Sequence, residues 1–233
     1  MHEDISIAIE TSCRAGGLAL GIGDTLVKTA SFDASARHTT QLIRQMRDLL
    51  AGAGLAPERL DHVYVSAGPG SFTGLRIGMT VARTMAQAMG RLNCVAVPTA
   101  EAIAQNACAL PWEHLGVLLA AKLETVYAAL FAREQSRAVT SRAGRLVEFD
   151  EFLAGAPRPL LLIGEGLDYV QPDGEGVSRA PRDMWLPTAE GTWRVGRRLA
   201  TEGRFSEYHN LLPNYARRPE ALKPQQQDAG KEG

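Results

Sequence analysis

The spacing of hydrophobic positions changes several times along the chain, and each change marks a boundary. Residues 5–9, 18–21 and 26–32 are short apolar runs separated by glycine-bearing turns, which predicts three strands in a meander. From about residue 39 to 53 the spacing turns helical, with Leu42, Ile43, Met46, Leu49, Leu50 and Ala53 recurring on one period. Thr39 or Thr40 caps its start, and Gly54 stands where helices commonly stop. Residues 63–67 read as a buried strand. The turn Gly68-Pro69-Gly70-Ser71-Phe72-Thr73-Gly74 then feeds a helix from about 75 to 89, with Ser71 or Thr73 as cap. A strand at 94–97 and a helix to about 108 complete a mixed α/β unit.

The second half reads as a weaker echo. Residues 116–121 and 126–132 pair as a hairpin across 122–125, and 159–163 form a strand ending in Gly164-Glu165-Gly166. The stretch 170–187, rich in proline, glycine and acidic residues, reads as loop. Residues 190–201 form a helix with Trp193, Val195 and Leu199 at apolar positions. The expected divisions are a first lobe at 1–109, a reduced second lobe at 110–218 and a disordered polar tail at 219–233.

Composition narrows the class. Lys and Arg number 25 against 26 Asp and Glu, a net charge of −1, which argues against holding nucleic acid by bulk charge alone. Apolar residues at 45% and charged residues at 22% exclude wholesale disorder. No apolar run reaches the ~18 residues of a membrane span. The start, Met1-His2-Glu3-Asp4, is unlike a signal peptide, so a cytoplasmic protein is expected. Three widely spaced cysteines, Cys13, Cys94 and Cys108, fit a reducing compartment without a zinc knuckle. The five histidines, His2, His38, His62, His114 and His209, show no H-x-x-x-H pair, and the residue four after His38 is Leu42. No metal site is expected.

Two places carry candidate chemistry. Glu10-Thr11-Ser12 sets a carboxylate beside two hydroxyls at a strand end, suited to a metal-bound water and a phosphate, or simply to a polar turn. In the loop 68–74, Gly70 and Gly74 admit either a phosphate or a tight strand–helix corner. Ser71, Thr73 and the first-turn Arg76 stand ready for an anion in the first case. The helix after the loop raises a different question. Ile77, Val81, Met85 and Ala88 make one apolar stripe while Met79, Ala82, Ala86 and Met89 populate the rest, leaving Arg83 and Gln87 as the strongly polar residues. Such a helix is either sandwiched inside its own chain or docked against a partner.

Ile7-Ala8-Ile9-Glu10-Thr11-Ser12 and the long stretch Ala67-Gly68-Pro69-Gly70-Ser71-Phe72-Thr73-Gly74-Leu75-Arg76-Ile77-Gly78 resemble the bacterial TsaB (YeaZ) family. Weaker matches run through 118–127, Gly164-Glu165-Gly166 and Leu212-Pro213-Asn214-Tyr215-Ala216-Arg217, so the likeness spans all but the tail. The resemblance implies an α/β fold of the actin/Hsp70/sugar-kinase (ASKHA, RNase H-like) type, two related lobes with the second reduced. It also implies a part in making threonylcarbamoyladenosine beside the anticodon of tRNA, as the non-catalytic partner of TsaD. The ATPase TsaE joins as third component, a homodimer forms when TsaD is absent, and tRNA is met only through the complex. Pairing in this family uses the first two long helices, which gives Leu42, Gln45, Met46 and Leu49 on one and Met79, Arg83 and Ala86 on the other. No cofactor of its own is implied, and any nucleotide belongs at the partner junction. Glu10 replaces the family's usual aspartate, and Ala120-Ala121-Lys122 its Asp-Ala-Arg, both of which weigh against one alternative, an active ASKHA ATPase or phosphotransferase, while the histidine pattern weighs against the other, a metallopeptidase.

Overall fold

In the computed structural model, which describes residues 3–33, 38–121, 125–135 and 137–216, the chain folds around two five-stranded sheets. The first holds β1 (Ile5–Glu10), β2 (Ala15–Ile22), β3 (Thr25–Asp33), β4 (His62–Gly68) and β5 (Asn93–Pro98), in the order β3-β2-β1-β4-β5. β1 runs antiparallel to β2 and parallel to β4, with Ile9 opposite Leu18 and Val65. The second holds β6 (His114–Ala120), β7 (Thr125–Glu134), β8 (Arg137–Glu148), β9 (Leu160–Ile163) and β10 (Val177–Arg179), in the order β10-β9-β6-β7-β8. β6 is antiparallel to β7 and parallel to β9, so both sheets carry the same strand order and directions. The half-to-half echo in the sequence is this repeated topology.

Strand β1 shows how the sequence builds the first layer. Its six residues are all buried, as expected for a central strand covered on both faces. The side-chain period of two sends Ile5, Ile7 and Ile9 to one face and Ser6, Ala8 and Glu10 to the other. The isoleucine face packs under α1 (His38–Ala51) and α2 (Phe72–Met89), with Leu42, Met46, Leu49, Met79 and Ala86 in the same core. The opposite face is made of small residues, Ala8 and Ala19 among them, and receives α5 (Ala189–Thr201) through Trp193, Val195 and Leu199. Gly21 and Gly196 let the layers meet, because a Cβ at either would overlap the Trp193 indole or the Tyr64 ring.

Helix α3 (Thr99–Asn106) lies between the two halves. Ala100, Ile103 and Ala104 enter the second core, while Ala102 belongs with α5 over the first sheet. α4 (Phe149–Ala154) places Phe149 and Phe152 in the second core. The C-terminal helix, grouped above with the second lobe, therefore packs on the first sheet instead. Its apolar stripe matches the small-residue face of β1 and β2, a pairing that sequence order does not reveal. The strand β8 and the three-residue β10 had no counterpart in the sequence reading. The capping choice between Thr39 and Thr40, the residue Lys122 and the tail 219–233 lie outside the described residues or side chains.

Candidate functional site at the end of the first strand

The chain turns sharply at the C-terminal end of β1, and three segments converge there. The parity of β1 aims Glu10 at α5, where it is fully buried. One carboxylate oxygen, Oε1, accepts from the Ser12 backbone N–H and from the Ser12 hydroxyl, both at 2.6 Å. The other, Oε2, accepts from the Thr192 hydroxyl at 2.7 Å. Burial pushes the carboxyl above its ordinary value near 4.5, against the pull of these donors. Its hydrogen-bond partners are all uncharged. The Thr11 N–H donates to Ser66 Oγ at 3.2 Å, which ties the strand end to β4.

The glycine loop closes over the same strand end. Ser71 N–H donates to the Ser12 carbonyl at 2.6 Å, and a Cβ on Gly70 would overlap that carbonyl. A Cβ on Gly74 would overlap the Thr11 carbonyl, and one on Gly78 the Thr11 hydroxyl. Of the two meanings open for the glycines, this geometry carries the tight corner, since the space beside them is filled by the chain itself. Gly68 adopts φ +102°, reserved for glycine, and faces the carbonyl of Asn214. Ser71, not Thr73, caps α2, accepting from the Gly74 N–H at 3.2 Å, and the helix starts three residues earlier than its apolar period suggested.

Arg76 turns away from that corner. Its guanidinium lies 3.7 Å from the centroid of the Phe72 ring, and Nε donates to the Tyr215 hydroxyl at 3.0 Å. The structure thus brings Glu10, Thr11, Ser12, Gly70, Ser71 and Gly74 together and leaves Thr73 and Arg76 on the outside. As built, these residues do not fit a nucleotide: the carboxylate is enclosed and the glycine cradle is occupied. In the second sheet, Gly164 at φ +115° packs on the Leu118 carbonyl, so the corner after β9 echoes that after β4. Burial raises the Glu165 carboxyl there, opposed by Arg14 and reinforced by Asp168. Ala120 ends β6, as Glu10 ends β1 in the first sheet, and Ala121 follows it. Among the described residues, no three His, Cys, Asp or Glu side chains group as metal ligands.

The pairing residues expected on the first two helices need correction. Leu42, Met46, Leu49, Met79 and Ala86 are all buried in the core shared with Ile5, Ile7 and Ile9, so they cannot meet a partner in this form. Of the two apolar stripes on α2, the sheet takes the one through Met79, Ala82 and Ala86. Gln45 and Arg83 remain half-buried, and Ile77, Met85 and Met89 pack only partly against the core. Thr73, Arg76, Thr80, Thr84 and Gln87 form the wet strip, and Ile43 on α1 is 48% exposed. Sequence reasoning missed Thr192 and Ser66. Thr192 is a lone polar residue on an apolar helix stripe, which is a usable signal; nothing in sequence linked it to Glu10.

A family model described as TsaD, tRNA N6-adenosine threonylcarbamoyltransferase, matches residues 32–159. The tRNA threonylcarbamoyladenosine biosynthesis protein TsaB of Bacillus subtilis (strain 168) is 27% identical over 224 residues, covering 92% of this chain and 95% of its own. The protein of the same name from Escherichia coli (strain K12) is 27% identical over 229 residues, covering 93% and 96%. A Pseudomonas aeruginosa crystal structure, described as an uncharacterized protein with similarity to peptidase YeaZ, superposes with TM-score 0.80 at 25% identity over 92% of this chain and 100% of that one. YeaZ from the same organism gives 0.77 at 24% and shares the fold.

Proposed function

Because the chain belongs to the TsaD family of tRNA N6-adenosine threonylcarbamoyltransferases, with TsaB proteins as its near-full-length relatives, we propose that it serves threonylcarbamoyladenosine formation in tRNA as a non-catalytic subunit paired with a TsaD-type transferase. The enclosure of Glu10 carries the second half of this reading. A carboxylate that positions a metal-bound water must reach that water, and both oxygens of Glu10 are engaged inside the protein. The matching strand end in the second sheet offers alanines. The reading assigns nucleotide to the partner junction, TsaE to the role of third component, and the complex to the cytoplasm.

Pairing is proposed through the outer strips of α1 and α2, with Ile43, Gln45 and Arg83 at its centre. The apolar remainder there, Ile43 with parts of Ile77, Met85 and Met89, supports a partner contact or, without the transferase, a homodimer. A standard interface buries about 800 Å² per partner, within reach of two adjacent helices. The test is reconstitution with purified transferase, TsaE, threonylcarbamoyl-adenylate and tRNA. Modification should be lost when this chain is omitted, and a complex should elute on size exclusion when it is present. Full modification in its absence overturns the reading.

A further inference from the structure

The Phe72–Arg76–Tyr215 group is absorbed neither by the corner at Glu10 nor by the proposed pairing. Phe72 opens α2 and is 44% exposed although Arg76 covers one ring face. Tyr215 arrives from a segment 139 residues further on, its ring 4.9 Å from that of Phe72 and tilted by 34°. That segment is held in place beneath: the Asn214 N–H donates to the Ala67 carbonyl at 2.7 Å, and Leu211 is buried in the first core. The platform therefore stands on rigid elements. The two segments that build it, residues 72–89 and 208–216, contain Arg76 and Arg83 and no Asp or Glu, although Glu207 adjoins the second. Arg76 has no carboxylate partner among the described residues.

A partly exposed aromatic ring stacked on an exposed guanidinium that has no carboxylate partner among the described residues suits a π-faced anion. Unpaired nucleotides of RNA are that ligand: the base stacks on the ring or the guanidinium plane, and the phosphate meets the charge. We propose that Phe72, Arg76 and Tyr215 form a stacking platform for an unpaired base of an RNA loop, Arg76 also meeting the flanking phosphodiester. The proposal rests on the role in tRNA modification and adds direct RNA contact by this subunit, where sequence had placed tRNA only with the complex.

The test uses the full-length chain and a short RNA hairpin whose loop carries one 2-aminopurine, compared with its blunt duplex. Wild-type protein should quench the loop fluorophore and bind the duplex more weakly. Phe72→Ala should weaken hairpin binding about 5- to 100-fold, the range of one base stacked on one aromatic side chain. Arg76→Ala should also lower the salt slope by about one. Phe72→Trp should bind, with its own indole quenched by unlabelled hairpin but not by duplex, which decides the matter if Phe72→Ala does not fold. The proposal is overturned by absent quenching with wild type, by unchanged binding in Phe72→Ala, or by equal losses on hairpin and duplex. Loss of transferase association with hairpin binding intact would also overturn it, assigning the platform to a protein. Pairing is scored separately by size exclusion, so this proposal and the subunit reading fail independently.

Discussion

Replacing Glu10 by Gln probes the buried corner with the smallest possible change. Gln preserves shape, accepts from Ser12 through its carbonyl, and turns an amide toward the Thr192 hydroxyl, which then accepts. Glu10 is enclosed with uncharged partners, and burial holds its carboxyl above the ordinary value near 4.5 despite the hydrogen bonds around it. An acid whose proton is held more tightly in the fold than in the unfolded chain adds most stability below the unfolded value. That contribution drains away as pH climbs through the folded value. Between the two values the loss is at most about 1.4 kcal/mol per pH unit for one proton. Gln titrates nowhere, so it escapes the loss. Urea unfolding of both proteins from pH 5 to 8 should therefore show Glu10→Gln gaining on wild type as pH rises. Each kcal/mol corresponds to about 2–4 °C in Tm for a chain of this size. A difference that stays flat, or that falls with pH, would mean that the donors outweigh burial and would refute the reasoning.

The remaining expectations concern packing and the helices. Gly74→Ala should cost about 3 kcal/mol or more, because its Cβ meets the Thr11 backbone carbonyl, whereas Gly78→Ala meets side-chain atoms alone, the Thr11 hydroxyl and Val65, and regains about 1 kcal/mol of helix propensity. Denaturation should rank Gly74→Ala well below Gly78→Ala, and a reversed order contradicts the corner geometry. Met79→Glu should unfold the protein, since an uncompensated charge would enter the core, while Arg83→Glu should keep Tm within about 3 °C and abolish transferase association on size exclusion. Cys13 and Cys94, whose thiols burial pushes up to about 12 and about 11, should resist alkylation of the native protein at pH 8 and react once it is unfolded.

Strands and helices with a clean period were readable because their burial is one-sided or complete. The run at β1, the corner glycines and the period of α1 each expose their own geometry. β8 was not readable, because its twelve residues carry three arginines and little apolar alternation, and most of them are exposed. β10 is three residues inside a proline- and glycine-rich stretch, below the length at which a pattern exists. On α2 the sequence offered two apolar stripes, and only the sheet beneath could choose between them. The chosen stripe took in Met79 and Ala86, which is why the anticipated contact residues came out buried. The function of Glu10 was half legible: a carboxylate at a strand end is visible, but Thr192, which closes it off, lies 182 residues away.

The proposal that this subunit contributes no chemistry of its own is tested most directly by the initial rate of threonylcarbamoyladenosine formation in the reconstituted complex carrying Glu10→Gln. The rate should stay within about 3-fold of wild type, because the side chain contributes only to packing and hydrogen bonding. A loss of about 100-fold or more with the complex still assembled, the cost of removing a general acid or base, would make Glu10 a participant and contradict the account.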